Sequence, residues 1–121
     1  MQPLPGFSDQ NRERHVLEFS SITSFKAAED ACREGRLMKT LLFPAELGGR
    51  DIPENVVYVP PEAWEMKSDA TAELVDAVRG GMCDVAVVPE YRGRSFVPVK
   101  IAITAAHSGL SHPYRLEIRI W

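Results

Sequence analysis

The segment from Leu47 to Asn55 carries the polar side chains that are best placed to do chemistry. It reads Leu-Gly-Gly-Arg-Asp-Ile-Pro-Glu-Asn and lies between two apolar runs. Gly48 and Gly49 allow positive φ angles and close backbone approach, and the Asp51 carboxylate and Asn55 amide can hydrogen-bond the loop to itself. Such oxygens also bind divalent cations, but a hard cation needs several of them. Asn55 alone therefore predicts no metal site, and a well-formed loop between two strands is the simpler interpretation.

Three histidines are the other candidates for acid–base or metal chemistry. His107 and His112 flank a predicted turn and can approach each other across it, whereas His15 lies in a weakly alternating stretch that we interpret as a short strand, His15–Phe19. No cysteine or carboxylate stands near the pair at ligand spacing. We therefore predict that the chain holds no metal ion and needs no cofactor.

A second candidate site is a glycine-containing connection between two predicted strands. It carries Tyr91, Arg92 and Arg94, which are residue types enriched at binding hot spots. Trp64, near a predicted helix start, and Trp121 extend the set of aromatic residues that can contribute to binding. Aromatic side chains at such positions more often seal a core. We predict Tyr91, Arg92, Arg94 and Trp64 as the possible binding residues.

Capping residues and the 3.6-residue period predict two main helices. Ser24 is a suitable N-cap for an alanine-rich helix that ends at Gly35. Phe25, Ala28, Ala31 and Cys32 are predicted to share one face of this helix. Pro61 suits the first turn of a second helix, which ends at Gly80 and is predicted to bend or break near Ser68. The residues that recur at helical spacing in this helix are Trp64, Lys67, Thr71, Leu74, Val75 and Val78.

Apolar runs bounded by turn residues predict the strands. Besides the short stretch at residues 15–19, these are residues 37–43, 56–59, 82–88, 96–106 and 114–121. The last three follow one another directly, which indicates an antiparallel meander. We predict a flexible N-terminal arm at residues 1–14. A single α+β domain then spans residues 15–121, with an antiparallel sheet and two main helices.

The order of these segments resembles the ββα-metal (His-Me finger) nucleases, especially the bacterial DNA/RNA non-specific endonucleases. Residues 47–49, Leu-Gly-Gly, match the loop of that family, and residues 55–57, Asn-Val-Val, match its Asn-Leu-Val step before a helix. Residues 89–98 match a downstream segment of the form Pro-x-Tyr-x-Gly-x-Ser-x-x-Pro. The resemblance covers residues 37–106 and implies a ββα-metal-like core.

The chain departs from the family at the position of the catalytic histidine. That position, seven residues before Gly48, is occupied by Leu41, and Lys39 and Thr40 replace the usual Arg-Gly. A leucine side chain cannot accept a proton from water, and general-base catalysis typically contributes about 10²–10⁴-fold. The acids of the following helix, which would have to complete a metal site, are more typical of a solvated face. The resemblance thus implies a degenerate active site with no catalytic residue.

We therefore predict a non-catalytic binding or regulatory protein, of the kind expected in bacterial toxin or immunity systems. Two alternatives stay open. One is a divergent metal-dependent DNA/RNA endonuclease that uses a repositioned base and a divalent metal. The other is an oligomerising module, because exposed strands can pair between copies of a chain. The missing histidine favours a protein without enzymatic activity.

Composition limits the partners and the compartment. The 121 residues are 45% hydrophobic and carry a net charge of −3, which argues for a globular domain and against general coating of nucleic acid. A protein partner is therefore favoured, with a homo-oligomer as a further possibility. No apolar run is long enough to span a bilayer, and the first residues lack the pattern of a signal peptide. With Cys32 and Cys83 isolated in sequence, we expect reduced thiols, no membrane partner and a cytoplasmic location.

Overall fold

The computed structural model describes residues 16–81, 83–106 and 114–121. The strands within these ranges are β1 (Met38–Leu41), β2 (Val56–Val59), β3 (Cys83–Glu90), β4 (Lys100–Ala106) and β5 (Tyr114–Arg119). The two main helices are α1 (Phe25–Arg33) and α2 (Pro61–Arg79). The predicted α+β class, with antiparallel strands and two main helices, is confirmed. The predicted arm at residues 1–14 and the three histidines lie outside the described residues.

Both main helices begin where their capping residues predict. The Ser24 hydroxyl accepts a hydrogen bond from the backbone N–H of Ala27 at 3.0 Å, and Gly35 follows α1 with φ of +77°. Helix α2 begins at Pro61 and continues through Ser68, so the predicted break there is wrong. The buried positions of α2 form one stripe across this point: Ala63, Lys67, Ala70 and Leu74. Packing of this stripe holds the helix together where local sequence favours an interruption.

The predicted strand at residues 15–19 is wrong, because residues 16–20 are helical. In a strand, Leu17 and Phe19 would share one face. Instead Leu17 is 74% exposed, whereas Phe19 is 2% exposed. The hydroxyl groups of Ser20 and Ser21 donate to carbonyls three residues back, at 3.4 and 2.7 Å, and accompany the end of this helical segment. Phe19 is the one fully buried residue of this helical segment, so the weak alternation in the sequence does not reflect a strand.

Strands β1 and β2 form a two-stranded antiparallel sheet in which Lys39 lies opposite Tyr58 and Leu41 opposite Val56. Val57 and Val59 belong to an apolar cluster with α2 and the second sheet. Tyr58 belongs to another cluster, which includes α1 and Phe19. Because side chains alternate along a strand, β2 is buried on both of its faces. The chain thus runs strand, loop, strand, helix between residues 38 and 79.

The second sheet is the predicted meander, with strand order β3-β4-β5. Strand β4 begins at Lys100 instead of the predicted Phe96. Residues 96–98 are not paired in the sheet, since Pro98 has no N–H to donate and the Phe96 N–H donates to the Ile22 carbonyl at 2.8 Å, whereas the Val99 N–H already donates to the Glu90 carbonyl at 2.7 Å. Helix α2 packs against both β5 and β1 and so joins the two sheets. No helix in the described ranges is long and apolar enough to cross a membrane.

Candidate functional site

The loop between β1 and β2 is held by the side chain of Asn55. Its Oδ1 accepts a hydrogen bond from the Phe43 N–H at 2.8 Å, and its Nδ2 donates to the Phe43 carbonyl at 3.0 Å. The second Nδ2 hydrogen reaches the Arg50 carbonyl, also at 3.0 Å. The backbone carbonyl of Asn55 accepts from the Leu42 N–H at 2.8 Å. Asn55 therefore continues the ladder of the two strands beyond Leu41, and its amide is committed to the loop.

The two glycines of this loop have separate backbone functions. Gly48 ends a single 3₁₀ turn, Ala45–Leu47, with φ of +98°, a conformation that favours glycine. Gly49 lies against the backbone of Phe43, and a Cβ atom placed on it would stand 1.8 Å from the Phe43 carbonyl oxygen. Only a residue without a side chain fits there. The Leu-Gly-Gly match to the nuclease family thus has a local structural explanation.

Leu41, at the predicted position of the missing catalytic base, lines a cavity of about 240 Å³ between β1, the loop and α2. We call this cavity the helix cleft. Its lining includes Thr40, Leu41, Trp64, Lys67, Ser68 and Thr71. No residue of this lining is a histidine, so no imidazole from the described part of the chain replaces the missing one.

Lys67 is the unusual residue of the helix cleft. It is 3% exposed, although lysine is almost never fully buried without a partner. Among the described residues, no carboxylate lies within 4.0 Å of its ammonium group, and its one hydrogen bond is to the Thr71 hydroxyl at 3.5 Å. Burial lowers the pKa of Lys67, and the negative charge of Glu46 opposes this shift. The cleft thus contains a buried cation with a weak partner.

A larger cavity, of about 420 Å³, lies on the other side of the β1–β2 sheet. We call it the aromatic groove. Its walls come from α1, from β1 and β2, and from the connection between β3 and β4. The residues that define it are Phe25, Lys39, Asp51, Tyr58, Tyr91 and Phe96. Lys39 and Tyr58 are opposite each other in the sheet and line the groove, whereas the neighbouring Val57 packs in the cluster that contains α2, so the sheet lies between the groove and α2.

Large apolar side chains are exposed around the aromatic groove. Phe25 is 54% exposed and Tyr91 is 44% exposed. The Phe25 ring meets the Tyr58 ring edge-on, with centroids 6.1 Å apart. Phe25 is more exposed than Ala28 and Ala31 of the same helix, since it stands at the start of α1, beside the groove. Lys39 and Asp51 form an ion pair of 3.0 Å, which raises the pKa of Lys39.

The connection that carries Tyr91 is fixed by a buried serine. The Ser95 hydroxyl donates to the Phe19 carbonyl at 2.6 Å and accepts from the Val97 N–H at 3.0 Å. Gly93 has φ of +61°, as a tight turn requires. The guanidinium carbon of Arg92 lies 5.8 Å from the centre of the Trp121 ring, within the range of a cation–π interaction. These contacts give Arg92, Gly93 and Ser95 separate structural roles in the connection.

The structure brings only some of the predicted binding residues together. Tyr91 and Asp51 line the aromatic groove, and Arg92 and Arg94 are exposed on the connection beside it. Trp64 lines the helix cleft instead, and the two cavities share no lining residue. Trp64 and Tyr91 therefore belong to separate candidate sites.

The described residues contain no group of three or more histidine, cysteine, aspartate or glutamate side chains that is suited to hold a metal ion. The helix acids Glu62, Glu65 and Asp69 are exposed, and Glu73, also exposed, accepts a hydrogen bond from the Tyr114 hydroxyl at 3.0 Å. Cys32 and Cys83 are free thiols, and Cys83 is exposed. The two cavities therefore remain as the candidate sites of the described structure.

Comparison of the chain with protein-family models, with curated proteins and with solved structures found no match. The two cavities are therefore the features of the described structure that bear on function.

We expect the Asn55→Ala variant to lose about 2 kcal/mol of unfolding free energy, because three side-chain hydrogen bonds are removed and the Phe43 backbone groups are left without partners. Urea unfolding of the purified variant measures this loss. Asp51→Ala, in the same loop, is the matched control. It removes an exposed ion pair, which contributes between 0 and about 1 kcal/mol. Equal effects of the two substitutions would contradict the role assigned to Asn55.

We expect Lys67→Met to stabilise the fold by about 1–2 kcal/mol, because an unpaired buried charge is replaced by an apolar side chain of similar length. In the wild type, the pKa of Lys67 is below its ordinary value of 10.5, so the native state releases this proton before the unfolded chain does. The unfolding free energy of the wild type therefore increases as the pH rises from the lowered pKa of Lys67 in the native state toward its ordinary value in the unfolded chain. The difference in unfolding free energy between Lys67→Met and the wild type should become smaller over the same pH range.

Urea unfolding of both proteins between neutral and alkaline pH tests this prediction. Lys26→Met is the control, since that lysine is exposed and pairs with Asp30 on the surface of α1. A Lys67→Met variant that is less stable than the wild type at neutral pH would mean that the ammonium group already has a strong partner.

Proposed function

We propose that this chain is a non-catalytic binding protein, built on a nuclease-like strand–loop–strand–helix scaffold, that recognises a protein partner through the aromatic groove. The observation that carries the proposal is the groove itself. Large apolar side chains are exposed around a concave surface, an arrangement typical of interaction sites. Tyrosine and arginine, the residue types most enriched at hot spots, stand together at its edge.

The charges beside the groove favour a particular partner. Arg92 and Arg94 are exposed on either side of Gly93, and no described carboxylate lies within 4.0 Å of either guanidinium group. An acidic segment would therefore find unpaired positive charge next to an apolar cavity. We infer that the partner is a protein segment with a large apolar side chain flanked by aspartate or glutamate. A regulatory role in a bacterial toxin or immunity system is compatible with such a partner.

The absence of catalysis is part of the proposal. Leu41 occupies the position where the resemblance puts the general base, and it offers no proton acceptor. Asn55, which matches the loop asparagine of the family, uses its side-chain amide in three hydrogen bonds to the backbone. A degenerate ββα-metal-like core accounts for both features. The described residues of the helix cleft carry no imidazole in compensation.

One observation favours the alternative of a divergent nuclease. Lys67 lies in the same cleft as Leu41, and burial lowers its pKa, so a larger fraction of this amine is neutral than for an ordinary lysine. A neutral amine can accept a proton from water. This alternative makes Lys67 the repositioned base and still requires a divalent metal.

We expect no cleavage of plasmid DNA or single-stranded RNA by the purified chain in excess Mg²⁺ or Mn²⁺, because the described residues place no general base at the position of Leu41 and include no group of three or more side chains suited to hold a metal ion. Gel analysis over long incubation measures this. Cleavage that persists through purification and disappears in the Lys67→Met variant would overturn the proposal in favour of the nuclease. Asn55→Ala is a poor probe here, since loss of the loop structure would abolish either function.

We expect selection from a random peptide display library on the wild-type chain to enrich peptides with an aromatic or large aliphatic residue next to acidic residues. Tyr91→Ala and Phe25→Ala should each weaken binding of an enriched peptide about tenfold or more, as hot-spot residues do. Fluorescence anisotropy of the labelled peptide gives the Kd of each variant. Unfolding free energies should change less than binding.

Leu17→Ala is the matched control for these variants, because Leu17 is a large side chain with 74% exposure that does not line the groove. It should bind the peptides as the wild type does. Peptides that lack acidic residues, or that bind equally to the Tyr91→Ala and Leu17→Ala variants, would contradict the proposed site.

A further inference from the structure

We propose that the helix cleft binds a phosphate group through the Lys67 ammonium and the hydroxyl groups that line the cavity around it. These hydroxyls belong to Thr40, Ser68 and Thr71. The site is separate from the aromatic groove and does not depend on its function. It predicts a small phosphorylated ligand in addition to a protein partner.

The Lys67 charge has no ion-pair partner among the described residues. Lys67 is only 3% exposed, and its ammonium group has three hydrogens to donate. The 3.5 Å contact with Thr71 Oγ1 uses one of them weakly, and no described carboxylate lies within ion-pair distance. A buried charge is costly unless it is paired and hydrogen-bonded. An anion in the adjacent cavity supplies both the opposite charge and the missing acceptors.

The hydrogen-bond donors that line the helix cleft suit a phosphate. An ammonium group is a compact point charge with rotatable donors, which suits a phosphate, whereas a planar carboxylate is matched better by the fork of an arginine. Thr71 accepts from Lys67 and keeps its own hydroxyl hydrogen for a ligand. With Thr40 on β1 and Ser68 on α2, donors reach the cavity from two elements. Three donor residues on α2 and one on β1 around a single cavity suit an oxyanion that accepts several hydrogen bonds.

The other residues that line the helix cleft indicate which kind of group would carry the phosphate. Trp64 and Leu41 are also among the residues that line this cavity, whose volume of about 240 Å³ leaves room beyond a single phosphate. Glu46 is the one carboxylate of this lining, and it is exposed to solvent, where its charge is screened. Lys67 is buried and its charge is screened much less. The cleft therefore favours a phosphomonoester with an apolar or aromatic body.

The test is a titration of the wild-type chain, labelled with ¹³C at lysine Cε, with sodium phosphate at constant ionic strength. The Lys67 signal, assigned by its absence in Lys67→Met, should shift saturably with phosphate and stay in place with sodium chloride. Phenyl phosphate should bind more tightly than inorganic phosphate, and phenol alone should not move the signal. Thermal unfolding should show a rise in Tm with phosphate that Lys67→Met lacks.

Two further variants keep the test independent of folding. Thr71→Val retains the shape of the side chain and removes one donor, so we expect Kd for phosphate to rise about tenfold. Lys26→Met removes an exposed lysine and should respond as the wild type does. A Lys67 signal that phosphate does not move, or a Tm increase that Lys67→Met retains in full, would overturn the proposed site.

Discussion

The side-chain amide of Asn55 is the interaction on which the arrangement of both cavities depends. It pairs with the N–H and the carbonyl of Phe43 as a neighbouring strand would, and so closes the loop between β1 and β2. The same loop carries Asp51 to the aromatic groove and Glu46 to the helix cleft. One polar side chain thus sets the positions of residues on both sides of a four-residue strand pair. Its resemblance to a family asparagine is explained by backbone geometry before any chemistry is invoked.

The β1–β2 sheet divides the molecule into two environments with opposite chemical character. The groove side exposes aromatic rings and pairs its lysine, Lys39, with a carboxylate in solvent. The cleft side buries a lysine, Lys67, without an ion-pair partner among the described residues. A protein retains an unpaired buried charge at the expense of stability, and such features concentrate at functional sites. The two lysines differ because strand alternation and helix packing place them on opposite sides of one thin sheet.

Much of the fold could be predicted from local signals, whereas the sites could not. Ser24 marks a helix start through its side-chain hydroxyl, Gly35 and Pro61 mark helix ends through their backbone conformations, and the bounds predicted for β2 agree with those of the structure. The helical period also predicts that Lys67 lies on the inward face of α2, but the local sequence does not indicate whether a carboxylate lies near its ammonium group. The aromatic groove joins Phe25 and Tyr91, which are far apart in sequence, so it exists only after packing. The helical segment at residues 16–20 was missed because its burial depends on Phe19 alone.

The contact between Gly49 and the Phe43 carbonyl has an evolutionary consequence. A side chain of any size at this point would collide with the backbone, so the loop cannot drift gradually through substitutions at that position. Descendants of a common ancestor must either keep glycine there or rebuild the connection between the two strands. Glycine at this position, followed six residues later by asparagine, is therefore expected wherever a loop of this conformation is kept. It would distinguish relatives that inherited this loop from chains that merely share the order of strands and helix.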